Sequence, residues 1–360
     1  MPSTSFAMSS FAFFQSRRRF LACMPAWAML PVRAAENRLL IGQIGTAHAH
    51  AAGKMNSIRS LADIWQVAGM VESDEPLRAK AQSSESYREL SWMSEPELLA
   101  MHGLQAVAVE TAVEASCATA LRCLRAGKHI HLDKPGSLNL TEFSAMRLEA
   151  EQRGLTVQMG YMLRYNPAFE LLVKAVREGW LGEITEIDAA MGKLADPSTR
   201  QKIGQLKGGG FFELACHLTD IVVTLLGKPQ AVHAFSTPTA EDGIQDNQMA
   251  VLQYPKATAV LRCNHADPFG GPRRRFNVTG TQGTFEIVPL ESGKVNLSLN
   301  TARAAYRKGT TQLSLEVPKD RYRGEFVDLA RIVRGEKKLA WDAAHDIAVF
   351  ETVQKASQTT

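Results

Sequence analysis

Cysteine, aromatic side chains and unbalanced charge are all in short supply in this chain of 360 residues. Five cysteines in that length exclude a disulfide-built scaffold, and one of them, Cys23, falls in the extreme N-terminal segment. Cys117, Cys123, Cys216 and Cys263 form no paired framework. The first two lie on one expected helix but face different ways, so they do not bridge. No apolar run is long enough to span a bilayer as a mature helix, so no stable membrane anchor is expected. The formal net charge is +4, but residues 1–34 contain Arg17, Arg18, Arg19 and Arg33 and no acid; without them 37 basic residues face 37 acidic ones. The basic excess therefore belongs to the N-terminus and excludes a nucleic-acid surface. The remaining cluster Arg273-Arg274-Arg275 reads as a solvated loop beside a strand. The length favours two domains.

What is present begins with the leader. Ser16-Arg17-Arg18-Arg19-Phe20-Leu21 precedes an apolar run from Phe20 to Val32, too short to cross a membrane, that ends at Val32-Arg33-Ala34. Residues 1–34 thus read as a signal peptide, and the paired arginines followed by Phe-Leu read as its twin-arginine form. The expected partner is the twin-arginine export machinery, and the expected location is the periplasm or another exported site. That route carries proteins already folded, which suits one with a tightly held cofactor.

From Leu39 short apolar runs alternate with helical spacing. Strands are expected at Leu39–Ile44, Val67–Val71, Ala106–Val109, Ile130–Leu132 and Val157–Met159, with helices near 50–61, 75–82, 115–126 and 142–153. This alternation specifies an α/β fold with a doubly wound parallel sheet. After about residue 160 strands dominate, at 184–191, 231–236, 249–254, 258–263, 275–279, 283–287 and 295–299. Helices are expected at 167–178, 212–226, 325–334 and 342–355, and only the second of these interrupts the strands. The pattern specifies an α+β domain with an open, mainly antiparallel sheet. The expected organisation is a leader at 1–34, a dinucleotide-binding domain at 35–158, and a substrate-binding and oligomerisation domain at 159–360 that includes the C-terminal helices.

The segment Gly45-Thr46-Ala47-His48-Ala49-His50 follows the first strand. A dinucleotide site wants Gly-x-Gly-x-x-Gly there, for a tight turn, close approach of backbone to pyrophosphate, and close helix–strand packing. Only the first glycine is present; Ala47 and His50 stand in the other two slots. Glu72, at the end of the second strand, has the right place to accept hydrogen bonds from ribose hydroxyls, which favours NAD and leaves NADP possible. His48 and His50 have a chelating spacing but no third ligand nearby in sequence, so no metal is expected.

Gly127-Lys128-His129-Ile130-His131-Leu132-Asp133-Lys134-Pro135 resembles the Gly-Lys-His-Val…Glu-Lys-Pro mark of the Gfo/Idh/MocA family (glucose-fructose oxidoreductase, inositol dehydrogenase and relatives). Three further pieces resemble that family in the same order: Gly160 to Pro167, Gly208 to His217, and Val278 to Phe285. The resemblance implies a Rossmann-type first domain and a nicotinamide-dependent oxidoreductase acting on a sugar or cyclic polyol, working as a homodimer or homotetramer through the second sheet. It places Lys134, His217 and Glu213 at the chemistry. Lys134 follows a strand at the sheet edge where such folds bind ligands, and its ammonium can stabilise a developing oxyanion. His217 can take a hydroxyl proton. Glu213, four residues before it on an expected helix, shares its face and replaces the family's Asp. Contacts to the dinucleotide are expected from Gly45, Thr46, Ala47, His48, His50, Glu72, Thr111 and Lys134. Contacts to substrate are expected from Arg164, Asn166, Glu213 and His217. Thr111-Ala112-Val113-Glu114-Ala115-Ser116 departs from the family's Thr-Pro-x-x-x-His, and Glu110 stands where a small residue is usual. Two rival readings remain open: a glycosidase that oxidises its substrate transiently, and a non-catalytic protein that binds cofactor or sugar.

Overall fold

The structure, a computed structural model, describes residues 38–206 and 208–357. The leader expected at 1–34 lies outside the described residues.

Among these residues the first sheet is built from β1 (Leu39–Ile44), β2 (Trp65–Val71), β3 (Leu104–Val109), β4 (His129–Leu132) and β5 (Val157–Met159), in the order β2-β1-β3-β4-β5. Every pairing in it is parallel. The helices that connect these strands are α1 (Ala51–Ser60), α2 (Glu75–Gln82), α3 (Glu95–Ala100), α4 (Val113–Arg125) and α5 (Leu140–Gln152). Side chains of β3 alternate between two cores. Ala106 and Ala108 face α1, while Val107 and Val109 face α4 and α5. A strand buried on both faces reads as a continuous apolar run, which is why the sequence exposes it so plainly. The order of the strands reverses direction beside β1, so the chain leaves β1 and β3 on opposite sides and opens a crevice at their carboxyl ends.

The rest of the chain contributes α6 (Pro167–Arg177), β6 (Ile184–Gly192), α7 (Pro197–Gln205), a π-helical turn Phe211–Ala215, α8 (Cys216–Leu226), β7 (Ala231–Pro238), β8 (Gln245–Gln253), β9 (Thr258–Asn264), the short α9 (Gly270–Arg273), β10 (Arg275–Gly280), β11 (Gly283–Ile287), β12 (Lys294–Leu299), β13 (Gly309–Ser314), α10 (Arg323–Val333) and α11 (Ala343–Ala356). Eight of these strands form a sheet in the order β13-β12-β11-β10-β6-β9-β8-β7, antiparallel except at β6–β9. One face carries Ile187, Ala189, Leu252, Leu261, Phe276, Val278, Phe285 and Leu297, packed under α6 and α8. The other carries alternating polar residues such as Glu186, Arg262 and Arg275 and stays open. Helix α8 is buried along most of its length because the sheet covers one side and α11 the other.

Several elements differ from the sequence expectation. Helices α3, α7 and α9 and strand β13 appear where only loop was expected. The C-terminal helices, grouped above with the second domain, also complete the first one. Phe326 and Leu329 of α10 join the core of β1 and α1, the Trp65 indole donates to the Phe326 carbonyl at 3.0 Å, and Val349 and Val353 of α11 join the α4–α5 core.

Candidate active site

Gly45 turns the chain at the end of β1 with φ +91°, and a Cβ there would lie 2.6 Å from the Thr111 nitrogen. Backbone of the β1 and β3 ends therefore meets at a distance that only glycine permits. The loop that follows is braced by Glu72. Its Oε2 accepts from both the nitrogen and the Oγ1 of Thr46, each at 2.8 Å, and its Oε1 accepts from the Asp74 nitrogen at 3.1 Å. Glu72 is thus a strut for the glycine loop. Helix α1 then starts at His50 with no side-chain cap and no acid in its first turn, which leaves its positive end open to an anion. We expect Glu72→Ala to raise the dissociation constant for NAD roughly tenfold, about 1.4 kcal/mol, by freeing the Thr46 loop; titration calorimetry with NAD measures this.

His48 and His50 converge on Asp133. The His48 Nδ1 stands 2.9 Å, and the His50 Nδ1 3.0 Å, from Asp133 Oδ2, while His48 Nε2 donates to the Lys134 carbonyl at 3.2 Å. Lys54 Nζ reaches the same carboxylate oxygen at 2.7 Å, so an ammonium already serves as its cation. Burial pushes His50 down to about 4, with Asp133 offsetting only part of the effect.

Lys134 is buried, and its Nζ donates to the main-chain carbonyl of Glu213 at 2.5 Å. Burial opposes its charge, but Cys216, Glu213 and Asp133 outweigh burial and hold it above the usual lysine range. The helical spacing assumed for Glu213 and His217 fails because Glu213 sits in the π-helical turn ahead of α8. Its carboxylate points to Lys193 Nζ and to His265 Nε2, each at 3.0 Å, and makes no hydrogen bond to His217. Burial works against that carboxylate's charge, yet His265, Lys134 and Lys193 hold it well below the usual range. It is an ionised, doubly engaged group rather than a base or a tuner of the imidazole. His217 is buried, lies edge-on to the Tyr161 ring at 5.9 Å, and has an Nδ1 without hydrogen-bond partner. Burial, then the charges of Lys134 and His50, hold it well below the ordinary histidine value.

Ala47, His48, His50, Thr111, Lys134 and Glu213 line one cleft of about 360 Å³. Three residues assigned to substrate are not in its lining: His217, buried beside Tyr161, Arg164 and Asn166. Arg164 forms a buried bidentate pair with Asp220, at 2.9 and 2.6 Å, and a further pair with Asp346 at 2.8 Å. It lies between the rings of Trp341 and Tyr161, 4.3 and 4.8 Å from their centroids. Asn166 caps α6, its Oδ1 accepting from the Ala168 nitrogen at 2.9 Å. The cleft gains residues that the sequence did not nominate: Lys193 from the end of β6, and Thr199, Lys202 and Gln205 from α7. Asp196-Pro197 was the available signal for that helix, an N-cap acid before a first-turn proline; Asp196 accepts from the Thr199 nitrogen at 2.8 Å.

The geometry matches known proteins over most of the chain. The oxidoreductase family with an NAD-binding Rossmann fold matches residues 39–161, and the GFO/IDH/MocA C-terminal domain matches residues 169–286. The uncharacterized oxidoreductase YhhX of Escherichia coli (strain K12) is 27% identical over 205 residues, 57% of this chain and 59% of that protein. The first curated relatives are matched over only 51% to 59% of their own length. A longer match, 24% identical over 318 residues, covers 88% of this chain and 95% of D-xylose 1-dehydrogenase (NADP(+)) 2 of Haloferax volcanii. The crystal structure of an oxidoreductase from Agrobacterium radiobacter in complex with NAD+, L-tartaric acid and magnesium shares the fold, with a TM-score of 0.76 and 16% identity over 90% of this chain and 96% of that one. The chain belongs to the Gfo/Idh/MocA oxidoreductase family and carries its NAD-binding Rossmann fold.

Proposed function

We propose that the protein is an NAD(P)-dependent dehydrogenase that oxidises or reduces a hydroxyl-bearing carbon of a sugar or cyclic polyol. The observation that carries this reading is the position of Lys134, a buried and charged ammonium in the wall of a cleft that also contains the glycine loop. The uncapped end of α1, Gly45 and Thr46 fit a dinucleotide, with Glu72 beneath them; the nicotinamide, when bound, supplies the hydride acceptor. Lys134 donates a hydrogen bond to the substrate oxygen and stabilises its negative charge as the carbon–hydrogen bond breaks. His217, kept neutral by burial, accepts the hydroxyl proton. Lys193 and Glu213 line the cleft beside Lys134, and the Glu213 carboxylate is held ionised by His265, Lys134 and Lys193.

The test is a panel of free sugars, polyols and their acids, scored for net NADH or NADPH formation. Release of p-nitrophenol from an aryl glycoside without net NADH overturns the dehydrogenase reading in favour of a glycosidase. Because His217 lies well below the ordinary value of 6.5, it stays unprotonated through the usual histidine range. The acid limb of kcat/KM is therefore expected below pH 6.5, and a limb at or above that value removes His217 as the base.

The leader reading extends the proposal to an exported, periplasmic enzyme delivered with its dinucleotide bound. Arg17→Lys with Arg18→Lys is expected to retain the protein in the cytoplasmic fraction. The open face of the second sheet is proposed to pair with a second copy of the chain, as a dimer or tetramer visible by light scattering.

A further inference from the structure

Lys54, on α1, has no exposed surface. Its Nζ donates to Asp133 Oδ2 and to His131 Nε2, both at 2.7 Å, and stands 3.5 Å from Glu110 Oε1 and 3.9 Å from Glu325 Oε2. These partners come from the end of β3 (Glu110), from β4 (His131), from the residue after β4 (Asp133) and from α10 (Glu325). His48 and His50 face the same Asp133 from the glycine loop, and Lys134 lies beyond it. The Tyr322 ring is 5.6 Å from Nζ, and the Arg321 guanidinium lies 4.7 Å from the same ring. One ammonium therefore serves three buried carboxyl groups. Neither oxygen of Glu110 or of Glu325 has a hydrogen-bond partner, and burial pushes both carboxyls up to about 8, against the pull of Lys54.

Gly160 adds an independent observation. A Cβ there would fall 2.6 Å from Lys54 Nζ and 2.9 Å from Asp133 Oδ1, so the Lys54–Asp133 pair fills the room this glycine leaves. Asp133 Oδ1 in turn accepts from the Lys134 nitrogen at 2.7 Å. The pair thus connects α1 and the glycine loop to the backbone that carries Lys134.

We propose that Lys54 is a positioning residue for the reaction: its ammonium holds Asp133, and through Asp133 it fixes both the Lys134 backbone and the two loop imidazoles at the cleft. It acts by charge as well as by filling space. The kinetic part of this proposal rests on the dehydrogenase reading above; the electrostatic part does not.

Lys54→Met alone takes from Glu110, Asp133 and Glu325 the ammonium that faces all three and risks unfolding. The test therefore uses Lys54→Met combined with Glu325→Gln, which removes the ammonium together with one of the carboxyl groups facing it, alongside Glu325→Gln alone and Gly160→Ala. Histidine NMR titration and kcat are read on each folded protein. In the double variant the His50 midpoint is expected to rise by roughly one pH unit, as Asp133 turns from the lost ammonium to the imidazole. Its kcat is expected to fall at least about tenfold below Glu325→Gln, with KM for substrate changing less. Gly160→Ala shifts both readouts in the same direction by a smaller amount. A folded double variant with the His50 titration and kcat of Glu325→Gln overturns the proposal and leaves Lys54 as packing alone. If the wild-type protein oxidises nothing in the panel, the dehydrogenase reading fails and the titration by itself decides the role of Lys54.

Discussion

Replacing Lys134 by methionine is expected to cut turnover by roughly a hundred- to a thousandfold while dinucleotide affinity stays near that of the wild type. Methionine keeps most of the buried volume, so the change isolates the charge. Among the described residues, the lost ammonium is the one positive group in the cleft wall that is both buried and anchored, through its hydrogen bond to the Glu213 carbonyl. Lys193 cannot replace it, because its own Nζ is engaged by the Glu213 carboxylate. Steady-state kinetics together with fluorescence titration of NADH separates the two effects. A Lys134→Met enzyme with near-normal kcat ends the catalytic assignment, and one that loses dinucleotide binding to the same extent as turnover converts Lys134 into a cofactor anchor.

The second large effect concerns stability rather than chemistry. Arg164→Leu is expected to destabilise the fold by about 3–5 kcal/mol, because it strands the buried carboxylates of Asp220 and Asp346. Arg147 still reaches Asp346 Oδ2 at 2.9 Å, and His345 reaches Asp220 Oδ1 at 3.0 Å, so part of the charge remains answered. Urea unfolding of the variant measures the loss. A variant of wild-type stability with a raised KM restores Arg164 to substrate binding and removes it from the core.

The contrast between these two residues shows what the chain's text reveals. Lys134 sits in a local string, strand then Asp-Lys-Pro, whose context can be read within ten residues. Arg164 sits in an equally distinctive string, but its partners Asp220 and Asp346 lie 56 and 182 residues away. Local patterns carried the five parallel strands and seven of the eight strands of the second sheet, since alternation and apolar runs are nearest-neighbour properties. Pairing of buried charges is not, so Lys54, Glu325 and the pairing of His265 with Glu213 escaped notice. His217 and Glu213 show a subtler limit. The shared helical face expected for them fails, because a π-helical turn directs the acid towards His265, and no short-range rule announces such a turn.

The last helices of the chain impose an order on its making. Because α10 and α11 supply side chains to both faces of the first sheet, the N-terminal half cannot finish its own interior as it leaves the ribosome. Glu325 belongs to the charge cluster beneath the glycine loop, so the pocket for the dinucleotide matures only once α10 has been made. A nascent chain of this kind has to wait, partly formed, for α10 and α11, and a dinucleotide can settle in a finished pocket only after both have docked.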